Sequence, residues 1–159
     1  RECIGRANDF LSHDNTALMF VTAFYAVYDP KTGEFAYTNA GHNPPYIVSA
    51  DRSRVRPLGG DTGIALGVAE NMAFTAEAGE FLLLYTDGVT EAMDAAGREF
   101  EDARLSQFLQ ELGPVDTEAA VSKLVAAVRA FAGAAPQSDD ITCLALKRRL
   151  GEAEDTTLA

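Results

Sequence analysis

The sequence has few of the residues on which disulfide frameworks and thiolate metal sites depend. It contains two cysteines, Cys3 and Cys143, which lie far apart and in no C-x-x-C spacing. Neither a disulfide framework nor a thiolate zinc site is therefore expected. No stretch reaches the roughly 20 consecutive apolar residues that cross a bilayer. The polar opening at residues 1–8 also lacks the apolar region of a signal peptide, so we expect a cytoplasmic chain with no membrane segment.

Basic residues are scarce as well. Thirteen Lys and Arg against 24 Asp and Glu give a formal net charge of -11 at pH 7. Such a chain repels phosphate backbones, so nucleic acid is not an expected partner. Acidity also serves solubility in many proteins and by itself indicates no ligand. The 159 residues, 47% of them hydrophobic, suffice for one globular domain, which we place at residues 1–150, with a polar tail at 151–159.

The order of the predicted elements favours an α+β domain with mainly antiparallel sheet. No G-x-G-x-x-G or Walker motif contradicts this, and a βαβ dinucleotide fold is not indicated. The segment at 81–86 is apolar on both faces, which is typical of a central strand. The patterns predict, in chain order, a helix ending near residue 11, strands at 18–28, 35–37, 46–48, 54–58, 72–76 and 81–86, and a helix at 101–112. A second helix follows, which Asp116 or Thr117 can cap and Gly133 ends, and a last strand lies at 141–146.

Acidic residues lie at the ends of two predicted strands. Asp87 follows the apolar strand, Gly88 comes next, and Glu91 lies one helical turn further on. Asp139 and Asp140 directly precede the last strand. Carboxylates completed by water are the ligands that Mg²⁺ and Mn²⁺ prefer. The same acids also suit a plain turn, a solvated helix face and a loop cap, so spacing alone leaves both interpretations open.

Longer strings are more specific than the acids alone. TDGVTEA at 86–92, together with QSDDIT at 137–142, resembles the PPM family of metal-dependent serine/threonine protein phosphatases. MFVTAFY at 19–25, NAGHNPP at 39–45 and GIALG at 63–67 are similar to its bacterial SpoIIE/RsbU branch. The resemblance implies a β-sandwich flanked by helices. It also implies hydrolysis of phosphoserine or phosphothreonine on a regulatory partner protein, such as an anti-sigma-factor antagonist, through water bridging two Mn²⁺ or Mg²⁺ ions.

The resemblance implies roles for individual residues at the positions that match the family's motifs. Asp87 and Asp139 match the family's metal aspartates. Glu91 and Asp140 match neighbouring acidic or polar positions and are assigned supporting roles. Gly88 would let the backbone turn tightly beside the metals.

A loop near the site is the other candidate from the resemblance. Asn39, Gly41 and His42 belong to the NAGH string, which recurs in this branch. We interpret His42 as a residue that fixes the loop by donating to backbone carbonyls, rather than as a metal ligand.

The sequence also departs from the family. An Asp-x-x-Gly-His-Gly-like metal motif and two early strands are expected upstream, and Asp9 and Asp14 do not match that motif. The chain is then either a fragment truncated at its N-terminus or a degenerate paralogue, with weak or absent activity. The alternative function is a non-catalytic phosphatase-fold interaction module. Exposed sheet edges would favour a homodimer.

Overall fold

The computed structural model describes residues 2–13, 20–59 and 72–149. The predicted tail and the string at 63–67 lie outside these residues. Within them, no helix has the length and apolar content that a membrane crossing requires. The elements in chain order are α1 (Glu2–Ser12), β1 (Ala23–Tyr28), β2 (Glu34–Ala40), β3 (Tyr46–Val48), β4 (Val55–Pro57), β5 (Met72–Thr75), β6 (Phe81–Tyr85), a 3₁₀ turn (Asp87–Val89), α2 (Glu101–Glu111), α3 (Thr117–Ala132) and β7 (Cys143–Lys147).

The strands form two antiparallel sheets. The first has three strands in the order β1-β2-β5, and the second has four in the order β4-β3-β6-β7. The β1–β2 hairpin runs from the pair Ala23 and Ala40 to the pair Tyr28 and Phe35. The predicted α+β class with antiparallel sheets is therefore confirmed.

Two apolar clusters hold these layers together. One lies between the sheets and combines Phe35 and Tyr37 of the first sheet with Ile47 and Leu82 of the second. The other joins the opposite face of the second sheet to α2 and α3, and its fully buried members include Leu83, Leu105, Leu109, Leu124 and Val128. Because Leu82 and Leu83 point into different clusters, β6 is buried on both faces, as its sequence predicts. Each such side chain contributes roughly 1.5–3 kcal/mol by leaving water.

The turn between β5 and β6 carries the chain from one sheet to the other. The sequence predicts both strands and the turn but not this change of sheet. β5 pairs with β2, and Phe74 stacks on Phe35 with 4.8 Å between ring centroids. β6 instead pairs with β3 and β7.

The first strand is shorter than predicted. The apolar run from residue 18 suggested a strand to residue 28, but β1 begins at Ala23. Its partner β2 ends at Ala40, opposite Ala23, and Gly41 then takes a φ of 72°. Residues 20–22 have no strand partner, and Phe20 is 78% exposed.

The ends of α3 follow the predicted signals. The Asp116 side chain accepts a hydrogen bond from the Ala119 N–H at 2.7 Å, which satisfies one of the donors left free at a helix start. Gly133 ends the helix with a positive φ of 61°, which glycine adopts without steric cost.

Candidate active site

The pairing of β6 with β7 brings the two acidic segments together. Tyr85, the last residue of β6, lies opposite Cys143, the first residue of β7. Beyond that pair the Thr86 N–H donates to the Thr142 carbonyl at 3.1 Å. The Thr86 hydroxyl accepts from the Thr142 N–H at 2.9 Å and donates to the Asp140 carbonyl at 2.7 Å. Segments 86–91 and 138–142 therefore lie side by side at one end of the second sheet.

Gly88 lies directly against the second segment. It is buried, and a Cβ built on it would come within 2.5 Å of the Asp140 carbonyl oxygen and 3.1 Å of that of Asp139. No side chain fits in this space without moving backbone. Glycine is required here for close approach rather than for an unusual φ.

Asp87 is the first residue of the 3₁₀ turn. Its Oδ1 accepts from the Gly88 N–H at 3.0 Å, and its carbonyl accepts from the Glu91 N–H at 2.8 Å and from the Thr90 hydroxyl at 3.2 Å. The Asp87 and Glu91 side chains are both exposed. The turn thus fixes the backbone and leaves the carboxylates facing solvent.

Asp139 has a similar local geometry. Its Oδ1 accepts from the Asp140 N–H at 2.6 Å, and its carbonyl accepts from the Gln137 amide at 2.8 Å. The Ser138 hydroxyl donates to the Glu91 carbonyl at 3.1 Å, which links the two segments a second time. Asp139 and Asp140 are exposed.

The chemistry of these groups suits a hard cation. Asp87 and Asp139 offer carboxylate oxygens, and in each residue Oδ1 is already oriented by the following N–H. Mg²⁺ commonly takes one or two carboxylates and fills its remaining positions with water or phosphate oxygens. Among residues 2–13, 20–59 and 72–149, no three Asp, Glu, His or Cys side chains form a cluster that could hold a metal ion. The described residues therefore fit part of a metal shell rather than a closed site.

The predicted loop at 39–45 begins inside the structure's β2, which includes Asn39 and Ala40. The rest of it, at 41–45, lies at the same end of the second sheet as the acids, because it leads into β3 at Tyr46, opposite Leu83 of β6. The Asn39 side chain accepts from the His42 N–H and donates to the His42 carbonyl, both at 2.9 Å. The His42 imidazole instead lies 3.3 Å from the Thr22 hydroxyl. The predicted role of the imidazole, fixing the loop through backbone carbonyls, is instead performed by the Asn39 amide.

Two residues around the site have a structural role that the sequence patterns do not predict. Thr86 and Ser138 flank the acids in the two strings, and their hydroxyls make the links between the segments. Their position beside the acids was the available signal.

A partly buried polar cluster supports the end of β6. The Tyr85 and Tyr46 hydroxyls donate to Asp102 Oδ1 at 3.0 and 3.4 Å. Burial, reinforced by the Asp102 charge, raises the pKa of Tyr85 far above its ordinary value.

Comparison with known proteins places this chain in a family. The sequence matches the family described as Stage II sporulation protein E (SpoIIE) over residues 1–149. It is 32% identical over 147 residues to protein IcfG of Synechocystis sp., covering 89% of this chain and 23% of that protein. It is 30% identical over 95 residues to the phosphoserine phosphatase RsbU of Bacillus subtilis, covering 57% of this chain and 28% of RsbU. The chain thus spans about a quarter of the length of these curated relatives.

The fold has solved counterparts. The phosphatase domain of the cell fate determinant SpoIIE from Bacillus subtilis, presoaked with Mn, superposes with a TM-score of 0.73 at 18% identity. The match covers 96% of this chain and 68% of that one, and it shows a shared fold. The resemblance noted from the sequence strings is confirmed, and the chain belongs to the SpoIIE family of serine phosphatase domains.

Proposed function

We propose that this chain is the metal-binding part of a phosphatase that hydrolyses phosphoserine or phosphothreonine on a partner protein. One observation carries the proposal: the contact of Gly88 with the Asp139 and Asp140 backbone, which holds two exposed acidic segments against each other. Such a surface repels a phosphate dianion unless a cation lies between them. Acids placed side by side at an exposed end of the sheet can therefore form part of a phosphate site only if they bind a metal ion.

The roles of the residues follow from their positions. Asp87 and Asp139 would hold Mn²⁺ or Mg²⁺, two ions in a complete site, with Glu91 and Asp140 supporting from the same two segments. Bound ions would supply an activated water and neutralise charge on the phosphoryl oxygens. The protein's own contribution is to hold Oδ1 of both aspartates through the N–H groups of Gly88 and Asp140. The links from Thr86 and Ser138 keep the two carboxylates in a fixed relation.

The proposed substrate is a phosphorylated protein in the cytoplasm. All four acids are exposed, so a phosphorylated side chain of a folded partner can reach them. RsbU, with which the chain is 30% identical over 95 residues, is a phosphoserine phosphatase by name. An anti-sigma-factor antagonist is the partner that the family resemblance suggests.

The exposed apolar surface supports a proposed homodimer. β1 is an edge strand of the first sheet, and Val27 on it is 56% exposed. An open strand edge pairs readily with a second chain. Light scattering tests this, and a strictly monomeric mass across the micromolar range would reject it.

Metal titration tests the central proposal. Isothermal titration of Mn²⁺ into the purified chain should show binding that Asp87→Asn and Asp139→Asn each weaken at least about tenfold. Glu118→Gln, an exposed acid at the start of α3, serves as the control and should leave the affinity unchanged. Equal Mn²⁺ affinity in wild type and in either aspartate variant would reject the assignment.

A second candidate function is an interaction module that keeps the fold without catalysis. The lack of a three-ligand cluster among the described residues favours it. Hydrolysis of p-nitrophenyl phosphate and of a phosphoserine peptide at saturating Mn²⁺ separates the two. Turnover that Asp87→Asn abolishes supports the enzyme, whereas peptide binding without turnover supports the module.

A further inference from the structure

A cavity of about 260 Å³ opens beside the acidic segments. Gly88 and Ser138 from those segments form one wall. Apolar side chains of Ala92, Val128 and Ile141 line the interior. The cavity therefore borders the same backbone contact that holds Asp87 and Asp139 together.

A shallower, open shelf of about 520 Å³ continues from this cavity. Met93, Pro136 and Gln137 line both. The shelf lies between the turn at 93–97 and the loop at 134–138. Cavity and shelf together form one channel beside the acidic segments, which we call the α3 groove.

The charges along the α3 groove are asymmetric. Arg129, in the last turn of α3, is the only basic residue among the described residues that line either part. It is exposed, and its guanidinium makes no hydrogen bond or ion pair with the described part of the chain. Asp94 on the shelf is already paired with Arg98 at 2.6 Å. The groove thus borders the two acidic segments through Gly88 and Ser138 and has one available cation on its wall.

Shape favours a peptide over a small molecule. Pockets for drug-sized ligands typically enclose about 300–1,000 Å³ and bury most of the ligand. The cavity lies below that range, and the shelf beyond it is open. A small apolar side chain fits the cavity while an extended chain lies along the shelf.

We propose that the α3 groove binds the stretch of the phosphoprotein substrate next to its phosphorylated residue, with an acidic side chain of that stretch at Arg129. This inference rests on the proposed phosphatase function, because the phosphorylated residue must lie at the carboxylate end. Arg129 is then a specificity-determining residue that selects the sequence around the phosphate. An acidic flank is favoured because Arg129 is the one positive side chain among the described residues that line the groove.

Peptide binding tests the proposal independently of turnover. Three fluorescein-labelled phosphoserine peptides, identical except for Glu, Ala or Lys flanking the phosphoserine, are titrated with the chain by anisotropy in the presence of Mn²⁺. Wild type should prefer the Glu peptide over the Lys peptide by roughly twofold to fivefold, the range of exposed charge pairs. Arg129→Glu should reverse the order, and Arg129→Lys should retain it. Lys123→Glu makes the same charge change at an exposed position of α3 outside the groove and should leave the preference intact.

A separate variant tests whether the apolar cavity of the groove contacts the peptide. Ala132→Phe places a ring in the cavity, which Ala132 lines, and should weaken all three peptides without changing their order. Far-ultraviolet circular dichroism and urea unfolding verify that this variant folds.

The outcomes separate the two proposals. Arg129-dependent preference without hydrolysis would retain the groove assignment and reject the proposed chemistry. Hydrolysis with the same peptide order in wild type and Arg129→Glu would overturn the groove assignment alone. No measurable binding of any peptide up to millimolar concentration would also overturn it.

Discussion

Replacement of Gly88 by alanine should separate the two acidic segments. The new Cβ would come within 2.5 Å of the Asp140 carbonyl oxygen, whereas ordinary van der Waals contact begins near 3.4 Å. The neighbouring backbone must therefore retreat by about 0.9 Å. A shift of that size takes the 2.7 Å bond between Thr86 and Asp140 out of hydrogen-bonding range.

Two effects determine how much stability Gly88→Ala should lose. Overpacking against backbone costs about 1–3 kcal/mol, and loss of the Thr86 hydrogen bond costs about 1 kcal/mol more. Urea denaturation of Gly88→Ala should show a free energy of unfolding about 2–4 kcal/mol below wild type. Titration calorimetry should show Mn²⁺ affinity reduced by roughly 10–100-fold, because the two aspartates lose their fixed relation.

Two glycines provide controls for this variant. Gly97 has a φ of 75° and no neighbour within 4 Å of a built Cβ, so Gly97→Ala adds backbone strain of about 1 kcal/mol without a clash. Its Mn²⁺ affinity should match wild type. Gly5 in α1 has open space and no positive φ, so Gly5→Ala should be neutral or slightly stabilising. If Gly88→Ala keeps wild-type stability and Mn²⁺ affinity, the close contact is not what organises the site.

Further predictions concern hydrogen bonding and titration. Thr86→Val should lower the free energy of unfolding by about 1–3 kcal/mol in urea, and Thr86→Ser should restore it; equal stability of all three would contradict the bridging role. Burial, together with Asp102, raises the pKa of Tyr46 to about 12, so its contribution to stability is present below pH 10 and is lost as the pH rises toward 12. Spectrophotometric titration should detect this ionisation, and Asp102→Asn should lower the pKa. Burial raises the pKa of the Cys143 thiol to about 11, so in Cys3→Ser it should react with a thiol reagent at pH 8 roughly 100-fold more slowly than an unperturbed thiol, a difference that urea should abolish.

Local chemistry determines the parts of the fold that the sequence predicts well. The Asp116 side chain caps α3 through a donor three residues away, and Gly133 ends the helix through its own φ. The apolar character of β6 on both faces is likewise a property of five consecutive residues. Each of these signals acts within one turn or one strand, so a single sequence contains it.

Long-range pairing determines the parts that were missed. β5 and β6 are separated by a short turn, yet Phe74 stacks on Phe35 of the other sheet. The start of β1 depends on where β2 ends, since Ala23 lies opposite Ala40. The sheet that β5 joins and the residue at which β1 begins both depend on contacts between residues far apart in the sequence, which local patterns do not encode.

The site combines both kinds of information. The strings around Asp87 and Asp139 mark each acid, but only the pairing of Tyr85 with Cys143 determines that they meet. In an antiparallel pair, the last residue of one strand and the first residue of its partner necessarily lie at the same end of the sheet. Thr86 extends that ladder by one side-chain bond, and the absence of a side chain at Gly88 allows the segments to touch. The register of two apolar strands thereby positions two acids that neither strand contains.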